Sequence, residues 1–319
     1  MDAVLRMLIN VTGVSWGDVV GVESTLALIN ENVIQPFLRP ELFTGLTSAS
    51  KGMLLFGPPG TGKTMIAKAV AAQAGLHFFN VECAKVESKW RGESVQIISA
   101  LFTVARAARP GAIIFLDECD SLLRKPGSGD DSAGDSKIVN QFKDSWDGVG
   151  GEGEGQAFVI GATNNPWDLE DAITRPGRMD FRVLVPLPNP AARRAMLEGW
   201  LRKDKREYDP EAIEGVINAT EGYSGADMKA VLKEAAMGPV REALKQPVGT
   251  PKRPITGEDF QRACDTVPRS VTDIVVARHN GYNSEFGRKV AVTSGVREAY
   301  SIVGGGGAGP KYIPLGRER

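Results

Sequence analysis

GMLLFGPPGTGKTMIAKAV, residues 52–70, passes from an apolar run through a glycine-rich turn into a helical stretch without a break. GMLLF has the length and apolarity of a buried strand, and the residues after Thr64 open a helix. Between them GPPGTGKT, 57–64, satisfies the pattern G-x-x-x-x-G-K-[ST] at the strand-to-helix junction such a loop requires. Gly57, Gly60 and Gly62 let backbone amides turn inward around phosphate groups, with Pro58, Pro59, Thr61 and Met65 in or beside the loop. Lys63 supplies charge for β- and γ-phosphate oxygens, and the Thr64 hydroxyl can coordinate magnesium. A glycine turn that merely joins two elements is the bland alternative.

Four further apolar runs keep the same rhythm: HFFNV at 77–81, AIIFL at 112–116, AFVIG at 157–161 and RVLVP at 182–186. With helical stretches between them, they predict an α/β fold: a mostly parallel sheet sandwiched by helices. After PLPNPAARR at 186–194 the strand signal stops, and AARRAMLEGWLRK, PEAIEGVINA, SGADMKAVLKEAAMGPVREALK and TGEDFQRACDTV all read as helices. The expected division is a large nucleotide-binding α/β domain over 1–188, a small all-helical domain over 189–287, and a tail over 288–319. Two segments have the composition of flexible chain, RKPGSGDDSAGDSK at 124–137 and GGGGAG at 304–309.

Composition narrows the function classes. Lys and Arg number 38 against 39 Asp and Glu, a formal net charge of -1, so no global attraction to nucleic acid or anionic membrane is implied. No basic stripe interleaved with aromatics appears either, and nucleic acid is not an expected partner. Cys83, Cys119 and Cys264 are far apart and form no CxxC, which disfavours a disulfide framework or zinc site and favours a reducing compartment. MDAVLRMLINVTG lacks the basic start and apolar run of a leader, and no apolar segment is long enough to span a bilayer. The expected location is cytoplasmic, with membrane contact at most indirect.

The third run ends in acid, AIIFLDECD at 112–120. A fully buried strand must project its terminal carboxylates from the sheet edge, where open α/β folds bind ligands. Asp117 is placed to hold a magnesium shell and Glu118 to polarise a water for attack on the γ-phosphate. The fourth run ends in GATNN, which puts Asn164 beside that water as an uncharged polar sensor. TRPGRMD then places Arg175 and Arg178 around a Pro-Gly turn, where arginines are ordinarily just solvated.

The assembly of motifs resembles the AAA ATPases from about residue 14 to 287: WGDVVG, GPPGTGKT, KWRGES, FLDE, GATN, RPGR and GYSGADM all match. Within them it looks most like the group of katanin, spastin, fidgetin and the vacuolar-sorting ATPase that dismantles ESCRT-III filaments. GATNNPWDLEDAI, VPLPNPAARRAML and TEGYSGADMKAVLKEAAMGPVREAL are especially similar to that last member, whereas RPELFTGL and ALFTVARAARP lean toward fidgetin. VPRSVTDIVVARHNGYNSEFG is similar to that group's final helix, which folds back on the ATPase core. The resemblance implies ATP and Mg2+ as ligands and a homo-hexameric ring with nucleotide between subunits. It also implies that Arg175 and Arg178 act as fingers in a neighbour's site, that Asp18, Val20 and Gly21 cup adenine, and that Gly225 and Ala226 open the helix closing over it. Lys89, Trp90 and Arg91 fall on the first pore loop, where the resemblance implies that Trp90 grips an extended protein substrate, a filament-forming protein among the candidates. A core tryptophan is the structural alternative.

The expected activity is ATP hydrolysis that threads polypeptide through a central pore to remodel, disassemble or unfold protein assemblies, in the manner of ESCRT-III disassembly. The alternatives are a katanin- or fidgetin-like microtubule-severing ATPase and a nucleotide-gated scaffold that does little motor work. Departures from the group bear on the choice. Arg91 stands where relatives usually have an aliphatic residue, and Ser136 and Lys137 where a second pore loop carries an arginine pair. Asp130, Asp131 and Asp135 make that loop acidic, which should repel glutamate-rich tubulin tails. Leu244 to Pro254 leaves no room for the β insertion of the ESCRT-III member. No helical hairpin for filament recruitment precedes the ATPase motifs, so recruitment is expected through another surface, a partner or a missing part. The tail over 288–319 reads as disorder, a remnant of cloning or a partner-binding peptide.

Overall fold

The computed structural model describes residues 2–9, 14–84, 94–125, 133–147 and 156–288. Its six strands are β1 Leu8–Ile9, β2 Gly52–Phe56, β3 His77–Glu82, β4 Gly111–Asp117, β5 Gln156–Thr163 and β6 Phe181–Leu184, in the order β1-β3-β4-β5-β2-β6. The five apolar runs all became parallel strands. β1 is the addition: two residues pair antiparallel with β3, Leu8 opposite Phe79, and cover an edge left open by the parallel set.

Strand periodicity divides the core in two. Met53, Leu55, Phe78, Ile113, Phe115, Phe158 and Ile160 face one way, packing on α2 Glu23–Ile29, a π turn Asn30–Ile34, α3 Gln35–Leu38 and α4 Lys63–Ala74. Leu54, Phe79, Ile114, Leu116 and Val159 face the other, packing on α1 Asp2–Leu5, α5 Ser94–Ala107, α6 Cys119–Leu122 and α7 Ala133–Asp147. α4 ends at Gly75 (φ 66°), whose N–H returns to the Ala71 and Ala72 carbonyls. That left-handed turn is easy only for glycine.

Past residue 189 the chain is helical, with a core of its own. α8 Pro190–Lys203 starts on the Asn189 side chain, which accepts from the Ala192 N–H at 2.8 Å. α9 Ala212–Ala219, α10 Gly225–Ala243 and α11 Gly257–Thr266 follow, the last two opening on capping boxes, Ser224 with Asp227 and Thr256 with Asp259. Leu197, Leu201, Val216, Met228, Val231 and Phe260 interdigitate between them. α12 Asp273–Phe286 contributes nothing to that core and packs on the sheet, with Tyr282 edge-on to Phe56 at 5.1 Å. The expected helical span 189–287 thus holds two populations of helix. No strand lies between Leu244 and Pro254, and no helix among the described residues is long and apolar enough to cross a membrane.

Phe115 is fully buried and stacks on Phe78 at 5.7 Å in the centre of the sheet. Phe115→Ala is expected to cost about 3–5 kcal/mol of stability, read as a lower urea midpoint with the slope unchanged.

Candidate nucleotide site

The loop between β2 and α4 is built by backbone that only glycine adopts at ease. Gly57, Gly60 and Gly62 have φ of 148°, 73° and 93°. Space imposes the same choice, since a Cβ on Gly57 would collide with the Val185 carbonyl and one on Gly60 would come within 2.7 Å of Ser224 Oγ. The Thr61 hydroxyl donates to the Pro58 carbonyl at 3.0 Å and fixes the loop's crown. The result is a cleft of about 420 Å³ lined by Pro59, Gly60, Gly62, Lys63, Thr64, Met65, Asp117, Glu118, Ala162, Thr163 and Asn164. Three separate sequence motifs therefore meet in one cavity.

Lys63 lies folded into its own loop, its ammonium donating to the Gly57 and Pro58 carbonyls at 2.9 and 2.8 Å. Burial pulls its pKa down to about 8, against the opposing effect of Asp117 and Asp120. Thr64 Oγ1 donates to Asp117 Oδ2 at 3.3 Å, so a hydroxyl and a carboxylate stand side by side. Such hard oxygen donors fit magnesium, which takes one or two protein ligands and completes its shell with water and phosphate oxygens. Among the described residues no cluster of three or more His, Cys, Asp or Glu could hold a metal unaided.

Glu118 has φ 51°, a left-handed conformation that is uncommon for a residue with a side chain. Its carbonyl accepts from the Ser121 N–H at 2.9 Å and the Ser121 hydroxyl at 2.8 Å. The strained turn ends β4 abruptly and leaves Glu118 on the cleft wall. Strain of this kind costs on the order of 1–3 kcal/mol and gathers where function needs the geometry. Asp120, which the sequence reading passed over, holds the opposite wall. It accepts from Thr163 Oγ1 at 2.6 Å and Asn165 Nδ2 at 3.3 Å, so both neighbours of Asn164 are tied to the β4 turn. The last acid of DECD was the available signal.

The expected adenine-side residues are only partly gathered. Asp18 is exposed and turned onto Ser15, accepting from its N–H at 2.7 Å and its hydroxyl at 2.9 Å; those bonds hold its carboxyl below the usual range. It does not line the cleft, and neither do Val20 and Gly21. Gly21 (φ 80°) packs against Ala192 at the start of α8, so this segment touches the helical part. Gly225 and Ala226 do meet the loop, the Ala226 N–H donating to the Gly60 carbonyl at 3.1 Å. The capped N-terminus of α10 therefore rests on the phosphate loop.

Neither arginine of TRPGRMD lines the cleft. Arg175 is exposed and borders a separate cavity of about 510 Å³ with Trp167, Arg182 and Arg278. Arg178 is engaged within the chain: its Nε and Nη2 donate to the two Asp147 oxygens at 3.1 and 2.8 Å, and Nη1 to the Ala172 carbonyl at 2.9 Å. Lys89, Trp90 and Arg91 lie outside the described residues, as do 126–132 of the acidic segment and the tail from 289.

A parallel sheet with a phosphate loop, an acid-tipped neighbouring strand and a helical part resting on the loop defines a P-loop nucleotide-binding protein with a helical lid. The chain matches "ATPase family associated with various cellular activities (AAA)" over residues 53–187 and "AAA+ lid domain" over 211–252. It is 39% identical over 278 residues to human fidgetin-like protein 1, covering 86% of this chain and 41% of that one. To pig spastin it is 40% identical over 282 residues, covering 87% and 45%. The crystal structure of the FIGL-1 AAA domain in complex with ADP superposes with a TM-score of 0.79 at 35% identity, covering 90% of this chain and 98% of that one. A structure described as the basis for katanin self-assembly gives 0.72 at 30% identity, covering 89% and 96%. The chain belongs to the AAA ATPase family, in the group of fidgetin-like proteins, spastin and katanin, and is an ATPase. It spans under half the length of the curated relatives it matches.

Phosphate oxygens beside Lys63 should raise its pKa from about 8. ATP binding is then expected to take up a proton above pH 8, and affinity to fall as pH rises through that value, because the free protein has lost the proton the complex needs. Calorimetry at pH 8.5 in two buffers of different ionisation enthalpy reads the uptake directly. Lys63→Arg should abolish it.

Proposed function

We propose that the chain is the motor of a homo-oligomeric ring that hydrolyses ATP to remodel protein assemblies. The observation that carries this reading is the incomplete site. One cleft gathers loop, acids and sensor, while Arg175 and Arg178 lie outside it. In the mechanism proposed, Lys63 and the loop amides hold the phosphates, and Thr64 and Asp117 hold magnesium, which would offset phosphate charge when bound. Glu118 accepts a proton from the attacking water and Asn164 orients that water. Arg175 and Arg178 of a neighbouring copy stabilise charge on the transferring phosphoryl group, which gives six equivalent interfaces in a hexamer. The self-assembly of the katanin neighbour supports the ring.

For the substrate, the relatives favour the severing alternative over ESCRT-III disassembly, since the names found are fidgetin-like proteins and spastin. The work proposed is extraction of polypeptide from a cytoplasmic protein polymer, Trp90 gripping between Lys89 and Arg91. Cosedimentation of Glu118→Gln with microtubules in ATP, together with polymer-stimulated turnover by the parent, tests this. Stimulation by an ESCRT-III filament and not by microtubules would reverse the choice.

Glu118→Gln should keep ATP binding and lose on the order of 10² to 10⁴ in turnover. Turnover near the parent's would remove Glu118 from its role.

Arg175→Ala should bind ATP normally and hydrolyse poorly, and mixing it with Lys63→Ala should restore activity at interfaces where each copy supplies its intact half. Absence of complementation, with turnover independent of protein concentration, would refute the shared site.

A further inference from the structure

α12 packs back on the carboxyl edge of the sheet, with Tyr282 against Phe56 and His279 against the backbone of Asn164, a residue that lines the nucleotide cleft. His279, midway along it, is 2% exposed. Its Nε2 is 2.9 Å from the backbone carbonyl oxygen of Asn164, and its Nδ1 is 2.8 Å from the Val275 carbonyl oxygen one turn earlier. A carbonyl can only accept, so whichever ring nitrogen bonds to one must carry a proton; in the Nε2–H tautomer that N–H donates to Asn164. Trp167 packs on the ring at 5.0 Å, and Arg278 covers the indole at 3.6 Å, so the imidazole is fixed in plane and depth. The bond spans 115 residues of sequence.

We infer that His279 is a positioning residue for ATP hydrolysis: it sets the backbone of Asn164 and makes the sensor's placement depend on α12 being docked. The inference rests on the proposed role of Asn164 at the attacking water. Asp120 holds the side chains of the residues on either side of Asn164, and His279 holds the Asn164 carbonyl itself. A shift of a few tenths of an ångström in that carbonyl moves the amide that lines the cleft, and orientation is where catalysis is most sensitive to small displacements. Substrate binding does not need Asn164 held so closely, because Lys63, Thr64 and the loop lie on the other wall. The effect therefore belongs in kcat rather than KM.

The test uses the full chain, with steady-state ATP turnover, nucleotide binding and thermal melting measured on each variant. His279→Phe keeps the ring's bulk and removes the donor; kcat should fall about 5- to 30-fold with KM for ATP within twofold. His279→Gln, whose amide nitrogen reaches about as far as Nε2, should recover at least half of the parent's kcat. In an Asn164→Ala background His279→Phe should cost almost nothing further, because one residue acts through the other. Unchanged kcat in His279→Phe would overturn the proposal, as would penalties that multiply in the double variant, a Gln variant no better than Phe, or activity that recovers simply on raising protein concentration. If His279→Phe fails to fold, the Gln variant and the cycle built on it decide the matter. A parent whose turnover is untouched by Lys63→Ala would overturn the ATPase reading itself, and this proposal with it.

Discussion

Burial of β4 and β5 on both faces is the constraint on which the rest of the chain depends. Ile113 and Phe115 enter one core and Ala112, Ile114 and Leu116 the other, leaving no place for a working polar group until the strand leaves the sheet. Chemistry is thereby confined to the carboxyl edge. Register then sets which groups meet there: Leu116 pairs with Gly161 and Phe56 with Thr163, so the residues just beyond, Asp117, Asn164 and the phosphate loop, converge without any further instruction. A one-residue slip would turn each strand's apolar set toward the wrong core, so the same burial that forbids polar groups also fixes the spacing of those at the tip.

How legible this was from sequence follows from which information is local. The five parallel strands could be read because each carries its own apolar run, and the lid helices because Ser224 with Asp227 and Thr256 with Asp259 mark their starts within four residues. Gly57, Lys63, Thr64, Asp117 and Glu118 could be placed because a strand-loop-helix sequence has little freedom in where it puts its loop. β1 could not be read: two residues carry no period, and their conformation comes from pairing with β3. Asp18 was assigned by likeness to a motif, whereas its side chain satisfies the amide and hydroxyl of Ser15 three residues away. Nothing in the spacing of apolar residues in α12 announces which surface it covers, because its contacts come from two distant segments, Phe56 from one and Asn164 with Trp167 from the other.

The phosphate loop is bounded on every side by parts that belong to other motifs. Gly60 supports Ala226 at the head of α10, Gly57 lies under the Val185 carbonyl, and Phe56 just before it carries Tyr282 of α12. The lid touches the loop through a backbone hydrogen bond, a contact that can break and reform without rebuilding a core. α12 instead packs half-buried Tyr282 on Phe56 just before the loop, an aromatic contact that cannot be separated so cheaply. The two connections from the helical part to the site therefore differ in stiffness.

Charge decides whether such a cleft is complete. Its lining holds one cation, Lys63, and two carboxylates, Asp117 and Glu118, so the wall that must receive a triphosphate is itself net acidic. Lys63 offsets only part of this, one positive charge against two carboxylates. A polyanion entering that wall needs positive charge from outside the chain. Magnesium on Thr64 and Asp117 would be one source, and away from the cleft Arg175 stands exposed beside a cavity whose lining holds Lys125, Arg182 and Arg278 against Asp171 and Glu285. Deficit on one face and surplus on another cannot cancel within a single copy, but they cancel wherever the second face of one copy meets the first face of the next. In the ring proposed above, neither face can serve both ends of the same contact, so the pairing would be head to tail, the kind of contact that produces a ring when it closes.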